Sequence, residues 1–269
     1  MFVIDTIAHR LKRGCATMSY PDGAAPALPD RHGGALKVDA AKCADGCNVC
    51  IPVCPTEAIA RPAGQPVALD LGRCIFCAAC MEVCPQGAIT QTGDHRMAAR
   101  KRDDLVLGQA GREQVRLAAA LDNKLLKLFG RSLRLRQVSA GGCGACEADT
   151  NVLGTIGWDL GRFGIQFVAS PRHADGLLIT GCMTKNMELA LKKAWEAVPE
   201  PKIVIAVGAC AIAGGPFVGN PQVLNGAASV VPVDLFIPGC PPHPLTILDG
   251  LLRLLDRLEQ KQKHTPSLT

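Results

Sequence analysis

Fourteen of the 269 residues are cysteine, and most of them stand in patterns that do chemistry. Two segments align on each other: CADGCNVCIPVCPTEAIA, from Cys43, and CIFCAACMEVCPQGAIT, from Cys74, each ending in V-C-P and an A-I dipeptide. The second is C-x2-C-x2-C-x3-C-P. Three thiolates so close wrap one face of a cubane iron–sulfur cluster, and the fourth, set before proline, points away to a second cluster. The spacing therefore assigns Cys74, Cys77, Cys80 and Cys54 to one [4Fe–4S] cluster, and Cys43, Cys47, Cys50 and Cys84 to another. The first run departs from this pattern by one extra residue between Cys43 and Cys47. Asp45-Gly46 in that gap supplies a tight turn to absorb it, and Cys43 is the ligand that the departure touches. Zinc takes four ligands from two separated pairs, which fits three-plus-one cysteines, twice over, poorly.

A third group lies farther on. GGCGACEADT (141–150) carries Cys143 and Cys146, and a lone C-x2-C serves zinc, redox dithiols and clusters alike. The elements around it narrow the choice. Beyond residue 130, segments 132–140, 165–170, 176–181, 202–208 and 234–239 read as short apolar strands. Helical stretches are expected at 151–163, at 184–198 behind Thr184 as N-cap, and at 244–260, which has proline near its start and leucines on one face. Strands alternating with helices predict a mostly parallel α/β sheet. Sites in such sheets gather outside the carboxyl ends of the strands. Cys143, Cys146, Cys182, Cys210 and Cys240 all follow strands, each with glycine nearby to let the backbone approach an inorganic group. The C-x2-C thus reads as two of four ligands, completed by Cys210 and Cys240. Zinc could use the same thiolates. The two clusters upstream make an electron-carrying cluster the more coherent reading.

GGCGACEADT, VGACAIAGGPF and PGCPPHP resemble the small subunit of membrane-associated [NiFe] hydrogenases and the homologous 20 kDa cluster-bearing subunit of respiratory complex I. The resemblance covers about residues 130–255. The portion before it resembles the two-cluster ferredoxin-like subunit of the same assemblies, as in formate hydrogenlyase-type complexes, so the chain looks like a fusion of two neighbouring subunits. The resemblance implies a bacterial-type α+β ferredoxin domain joined by a helical connector to a flavodoxin-like, mostly parallel α/β domain. It also implies a third [4Fe–4S] cluster on Cys143, Cys146, Cys210 and Cys240. The expected protein is an oxidoreductase component, not catalytic alone. It would conduct electrons between an upstream donor or acceptor and the large subunit of a group 4-type [NiFe] hydrogenase, within a complex peripheral to the cytoplasmic face of the membrane. Complex I relatives carry adjacent cysteines where this chain has C-x2-C, which favours the hydrogenase branch over a quinone-reducing or ion-pumping module. Cys182 stands where relatives usually have a residue other than cysteine, and reads as core, as a substitute ligand or as a redox-sensitive thiol. His243 stands where many relatives have arginine. It reads as an ordinary exposed histidine, as a group that tunes the cluster potential by hydrogen bonding, or as a proton relay near pH 7. Glu147 matches an acidic position that is a proton-path candidate in the family, and it equally suits a helix N-terminus. Cys15 reads as structural.

Bulk properties agree with this outline. The length has room for about two domains, and 48% of the residues are apolar. No stretch of the length that crosses a bilayer is free of charges and breakers. The opening MFVIDTIAHRLKRG lacks a signal-peptide pattern, and a cytosolic chain with reduced cysteines is expected. Between Arg96 and Arg136 eleven Lys and Arg face four Asp and Glu. A zinc- or cluster-stabilised nucleic-acid-binding protein is the reading from another class. With aromatics at 4%, stacking on single strands has little support, and no nucleic acid partner is expected. The expected organisation is an amphipathic arm (1–30), a ferredoxin domain (31–95), a basic helical connector (96–130), the hydrogenase small-subunit-like domain (131–260) and a flexible tail (261–269). Within the arm, residues 1–13 form an amphipathic helix suited to a partner subunit or a membrane surface. Within the connector, Val115, Ala118, Leu121, Leu125 and Leu128 fall at helical spacing over 111–130.

Overall fold

The computed structural model describes residues 2–109 and 111–258. The expected tail at 261–269, and the last two residues of the helix expected at 244–260, lie outside them. The elements run α1 (Phe2–Arg13), β1 (Leu36–Val38), β2 (Ile59–Ala60), β3 (Ala68–Asp70), α2 (Ala79–Glu82), β4 (Ile89–Gln91) and β5 (Val106–Leu107). They continue with α3 (Asn123–Phe129), β6 (Leu133–Ser139), α4 (Ala145–Val152), β7 (Ile165–Phe167), β8 (Gly176–Thr180), α5 (Lys185–Ala197), β9 (Ile203–Val207), α6 (Ala209–Ala213), β10 (Leu235–Ile237) and α7 (Pro244–Leu254).

The second half is built on a five-stranded sheet in the order β10-β9-β8-β6-β7, parallel throughout. Counted from β6 this is the order 2-1-3-4-5 of flavodoxin-like folds, with its switch point between β6 and β8. Its central strands, GLLIT and IVIAV, are buried at all five positions. Unbroken apolar runs of this kind suit strands covered on both faces. α7 packs on β10 and α4 and is buried along its length except at Arg253.

The first half uses short antiparallel pieces. β1 pairs with β4, and β3 lies between β2 and β5. Strands of two or three residues cannot hold a domain by themselves. They are joined to the larger half, because one core runs from Leu36, Val38 and Leu69 through to Ile179, Val204 and Ile212. At the seam Ala99 makes an antiparallel bridge to Phe236 on β10, and Arg100 donates to the carbonyls of Asp234 (2.7 Å) and Ala120 (3.3 Å). A Cβ on Gly72 would fall 2.8 Å from Ile212, so the halves meet closely there.

Two expected helices differ. The connector is helical only at α3, where Asp122 caps by accepting from the N–H groups of Lys124 and Leu125. Residues 112–122 run irregularly because their backbone groups bond elsewhere. Ala118 donates to Ala98, Leu121 donates to Leu254, and the Glu113 carbonyl accepts from Val38. Tertiary pairing overrides the local periodicity. The helix expected at 151–163 instead begins inside the C-x2-C as α4, and the chain after it turns before a short 3₁₀ segment at Leu160–Phe163. α1 forms as expected. Its Val3, Ile4, Ile7 and Leu11 are exposed. The chain behind it is tied to the second half: Arg162 donates to the carbonyls of Met18 and Tyr20 (2.6 Å each), and the Tyr20 hydroxyl donates to buried Asp249 (3.0 Å). Among the described residues no helix is long and apolar enough to cross a membrane.

Candidate functional site

The twelve cysteines grouped by spacing come together in three places. Cys43, Cys47, Cys50 and Cys84 line one largely apolar pocket, with Val67 and Ile89. Cys54, Cys74, Cys77 and Cys80 line a second, with Leu36 and Leu69. Each pocket thus draws three cysteines from one run and the proline-linked cysteine of the other. The third group sits at the carboxyl ends of β6, β9 and β10: Cys143 and Cys146 at the start of α4, Cys210 in α6, and Cys240 in the turn before α7.

The electrostatics tie the sulfurs of each group to one another. Burial pushes the Cys74 thiol up to about 12, and Cys80, Cys54 and Cys77 add to the rise. Cys80 stands at about 11 for the same reasons, and burial with Cys43, Cys84 and Cys47 nearby raises Cys50. In the third group burial pushes Cys146 up to about 12, helped by Cys210, Glu147, Cys240 and Cys143. Cys210 also stands at about 12, with Cys240, Cys182 and Cys143 close. Four thiolates gathered in one place repel one another and need a strong local cation. Coordination to a metal deprotonates thiols outright.

Among the described residues no three His, Cys, Asp or Glu side chains close on a single ion. The residues present fit a [4Fe–4S] group in each place. Cys54 Sγ accepts from Ala58 N–H (3.2 Å), Cys84 from Ala88 N–H (3.3 Å) and Cys74 from Phe76 N–H (3.3 Å). Backbone N–H groups of Ala88, Gln86, Ile89 and Gly87 overcome burial and hold Cys84 below the ordinary thiol range. In the third site Gly208 and Gly215 leave room for sulfur. A Cβ would fall 2.5 Å from Cys146 Sγ at Gly208, and 2.7 Å from Cys210 Sγ at Gly215.

Glu147 lies in the first turn of α4. Its Oε1 accepts from the hydroxyls of Ser139 (2.5 Å) and Thr180 (2.7 Å), at the ends of β6 and β8. Burial pushes its carboxyl up, but these two hydroxyls win and hold it below the usual carboxylate range. Cys182 is buried, donates to the Gly141 carbonyl (2.9 Å), and lies close to Cys210. His243 is half-buried rather than exposed. Its Nδ1 accepts from Leu245 N–H as the N-cap of α7, and its ring meets His32 and Trp158 edge-on. Cys15 is exposed.

Three features escaped the sequence reading. A cavity lined by Arg31, His32, Ile75, Phe76, Cys240 and His243 separates the Cys74–Cys77 loop from the Cys240 turn. His95 and His32 each hold a buried Nε2 without a partner. Arg61 donates to Cys43 Sγ at 3.0 Å. Only for Arg61 did the sequence hold a signal: aligning the two cysteine runs puts it opposite Gln91.

Comparison with known proteins divides the chain at the same seam. Residues 42–89 match the 4Fe-4S dicluster domain, and residues 143–254 match the NADH ubiquinone oxidoreductase 20 Kd subunit family. Formate hydrogenlyase subunit 7 of Escherichia coli is 44% identical over 143 residues, which are 53% of this chain and 56% of that protein. The chain therefore spans little more than half of that relative's length. A probable membrane-bound hydrogenase subunit of Pyrococcus furiosus, mbhJ, is 41% identical over 140 residues, 52% of this chain and 84% of that protein. Among solved structures, a chain of the membrane-bound sulfane sulfur reductase, an archaeal respiratory membrane complex, is 31% identical. It aligns over 52% of this chain and 77% of its own, with a TM-score of 0.45.

Proposed function

Because the chain belongs, through residues 143–254, to the family of the NADH ubiquinone oxidoreductase 20 Kd subunit and carries a 4Fe-4S dicluster domain ahead of it, we propose that it is the electron-transfer subunit of a [NiFe]-hydrogenase complex. It is an iron–sulfur oxidoreductase component. The finer reading is that it carries three [4Fe–4S] clusters and serves a catalytic large subunit of group 4 type. One observation carries this: three sets of four cysteines, drawn from distant parts of the sequence, converge in three separate sites.

When bound, the clusters would supply one-electron chemistry at each site. Cys43, Cys47, Cys50 and Cys84 would hold the first, Cys54, Cys74, Cys77 and Cys80 the second, and Cys143, Cys146, Cys210 and Cys240 the third. The Cys74–Cys77 loop faces the Cys240 turn across the shared cavity, beside residues 31–34 and Gln91. This supports an order in which the second site stands between the other two. Cys240 is exposed, which suits the third site to a partner's surface. Glu147 ties α4 to β6 and β8, and so fixes Cys146 against the sheet. The C-x2-C of Cys143 and Cys146 supports the hydrogenase branch. The same family membership supports the reading that the protein is held at the cytoplasmic face of a membrane through partner subunits.

The test is metal analysis of the native complex, purified without oxygen. Three clusters require about twelve irons per chain and no stoichiometric zinc. Nickel in the complex supports the hydrogenase partner. Twelve irons without nickel would point to a quinone-reducing module, and four irons or two zincs would overturn the cluster assignment.

A further inference from the structure

The two cysteine runs give two nearly symmetric sites. VCPTEAIAR (53–61) aligns with VCPQGAITQ (83–91). The symmetry holds in space at the first strand residue, Ile59 in β2 and Ile89 in β4. It holds again where Ala58 and Ala88 donate to Cys54 and Cys84 Sγ at 3.2 and 3.3 Å. It fails at the last aligned position. Gln91 lies over Gly33, with its amide where a Gly33 Cβ would be. Arg61 turns instead onto the Cys43–Cys47 loop, the one that carries the extra residue.

Five acceptors hold it there. Arg61 Nε donates to Asn48 Oδ1 (3.0 Å), and Nη1 donates to the Gln65 carbonyl (3.2 Å). Nη2 reaches the Cys47 carbonyl (2.7 Å), the Ala44 carbonyl (3.4 Å) and Cys43 Sγ (3.0 Å). None of the five is a carboxylate, so the guanidinium charge is not cancelled by its own partners. The other cations beside these sites are engaged differently: Lys42 pairs with Asp39 and Arg73 with Glu57. At the second site the corresponding sulfur, Cys74 Sγ, accepts from a neutral backbone N–H, that of Phe76.

We propose that Arg61 is a positioning residue for electron transfer: it closes the lengthened Cys43–Cys47 loop and sets the reduction potential of the cluster held by Cys43, Cys47, Cys50 and Cys84 above that of its near-symmetric neighbour. The inference rests on the three-cluster reading above. Reduction adds one negative charge to a cluster. A fixed cation and a charge-assisted N–H···S bond stabilise that added charge, which raises the potential. Among the described residues no charged donor reaches Cys74 Sγ, which accepts from Phe76 N–H, so an electron shared between the two favours the first, away from the Cys240 turn.

The experiment is a redox titration of the full chain in its native complex, followed by paramagnetic resonance of the reduced clusters. It compares the wild type with Arg61→Gln, the side chain of the second repeat, and with Arg61→Lys. In Arg61→Gln one midpoint falls by at least the ~59 mV that equals a tenfold change in a one-electron equilibrium, the other midpoints stay, and the iron content is unchanged. Arg61→Lys lowers the same midpoint by less. Unmoved midpoints in a fully loaded Arg61→Gln overturn the proposal. Should Arg61→Gln lose iron, Arg61→Lys decides: a fall confined to one midpoint supports the role, and unmoved midpoints overturn it. A wild-type chain lacking the cluster at Cys43 overturns both readings, and iron analysis tells that outcome apart from an unmoved midpoint.

Discussion

Adjacent residues in one turn of helix serve different ends. Cys146 points into the third site, while Glu147 accepts from Ser139 and Thr180 and stitches α4 to two strands. Glu147→Gln keeps an oxygen able to accept from both hydroxyls and gives up charge at a helix N-terminus. The expected loss is from a few tenths to about 1 kcal/mol. Turnover of the assembled complex is expected to stay. A loss of turnover with all clusters reducing at their normal potentials would instead mark the carboxylate as a proton carrier. Denaturation midpoints and catalytic turnover on the same preparation separate the two. Cys182 is the other residue at this edge. Its thiol already serves the Gly141 carbonyl. Cys182→Ala is therefore expected to keep its full iron content and its spectrum, at a loss of about 1 kcal/mol for the hydrogen bond removed, since the exposed Gly141 carbonyl still accepts from the backbone N–H of residue 182. Disappearance of one cluster signal would make Cys182 a ligand.

At the scale of elements, the caps show how the site loops are held. α7 starts at the Cys240 turn, and its cap is a titrating side chain. Burial, with His32 and His95 nearby, keeps His243 below the ordinary histidine value, and its Nδ1 accepts from Leu245 N–H only while neutral. As the pH falls, the unfolded chain takes up the proton first. The contribution of the cap is complete above the unfolded pKa of about 6.5 and is lost as the pH falls from there toward the lower folded value. The melting temperature of the wild type is expected to drop more steeply than that of His243→Asn between about pH 7 and about pH 5.5, since asparagine caps without titrating. Equal slopes would show that the cap contributes nothing to the pH dependence.

At the scale of the molecule the two halves differ in what holds them. The second half has a five-stranded sheet with central strands buried throughout. The first half has strands of two or three residues, and its pockets are walled by the cysteines themselves. Where ligands make up so much of a small fold, metal-binding free energy is folding free energy. Stripping iron with a chelator under reducing conditions should therefore unfold residues 36–107 and leave the parallel sheet intact. Hydrogen exchange would show protection lost at β1 to β5 and kept at β8 and β9. Equal loss in both halves would mean that the core they share through Val38, Leu69 and Ile212 makes them one cooperative unit.

The sequence alone pointed to the parallel sheet and to the two sets of four cysteines in the repeated runs. Strands alternating with helices admit few topologies, and cluster ligands recur at spacings set by the cubane's faces. It misled at 112–122, where Val115, Ala118 and Leu121 have helical spacing but the segment's backbone partners, Ala98 and Leu254 among them, belong to distant segments. No local pattern encodes such pairing. Arg61 was half-visible, as a mismatch in an otherwise faithful repeat, but its reach onto Cys43 depends on the path of a loop. Which thiol stands at which site's edge, how His243 comes to cap a helix beside His32, and which cysteine loop faces the Cys240 turn were decided only when the halves docked. Docking joins side chains whose separation in the sequence carries no information about their distance in space.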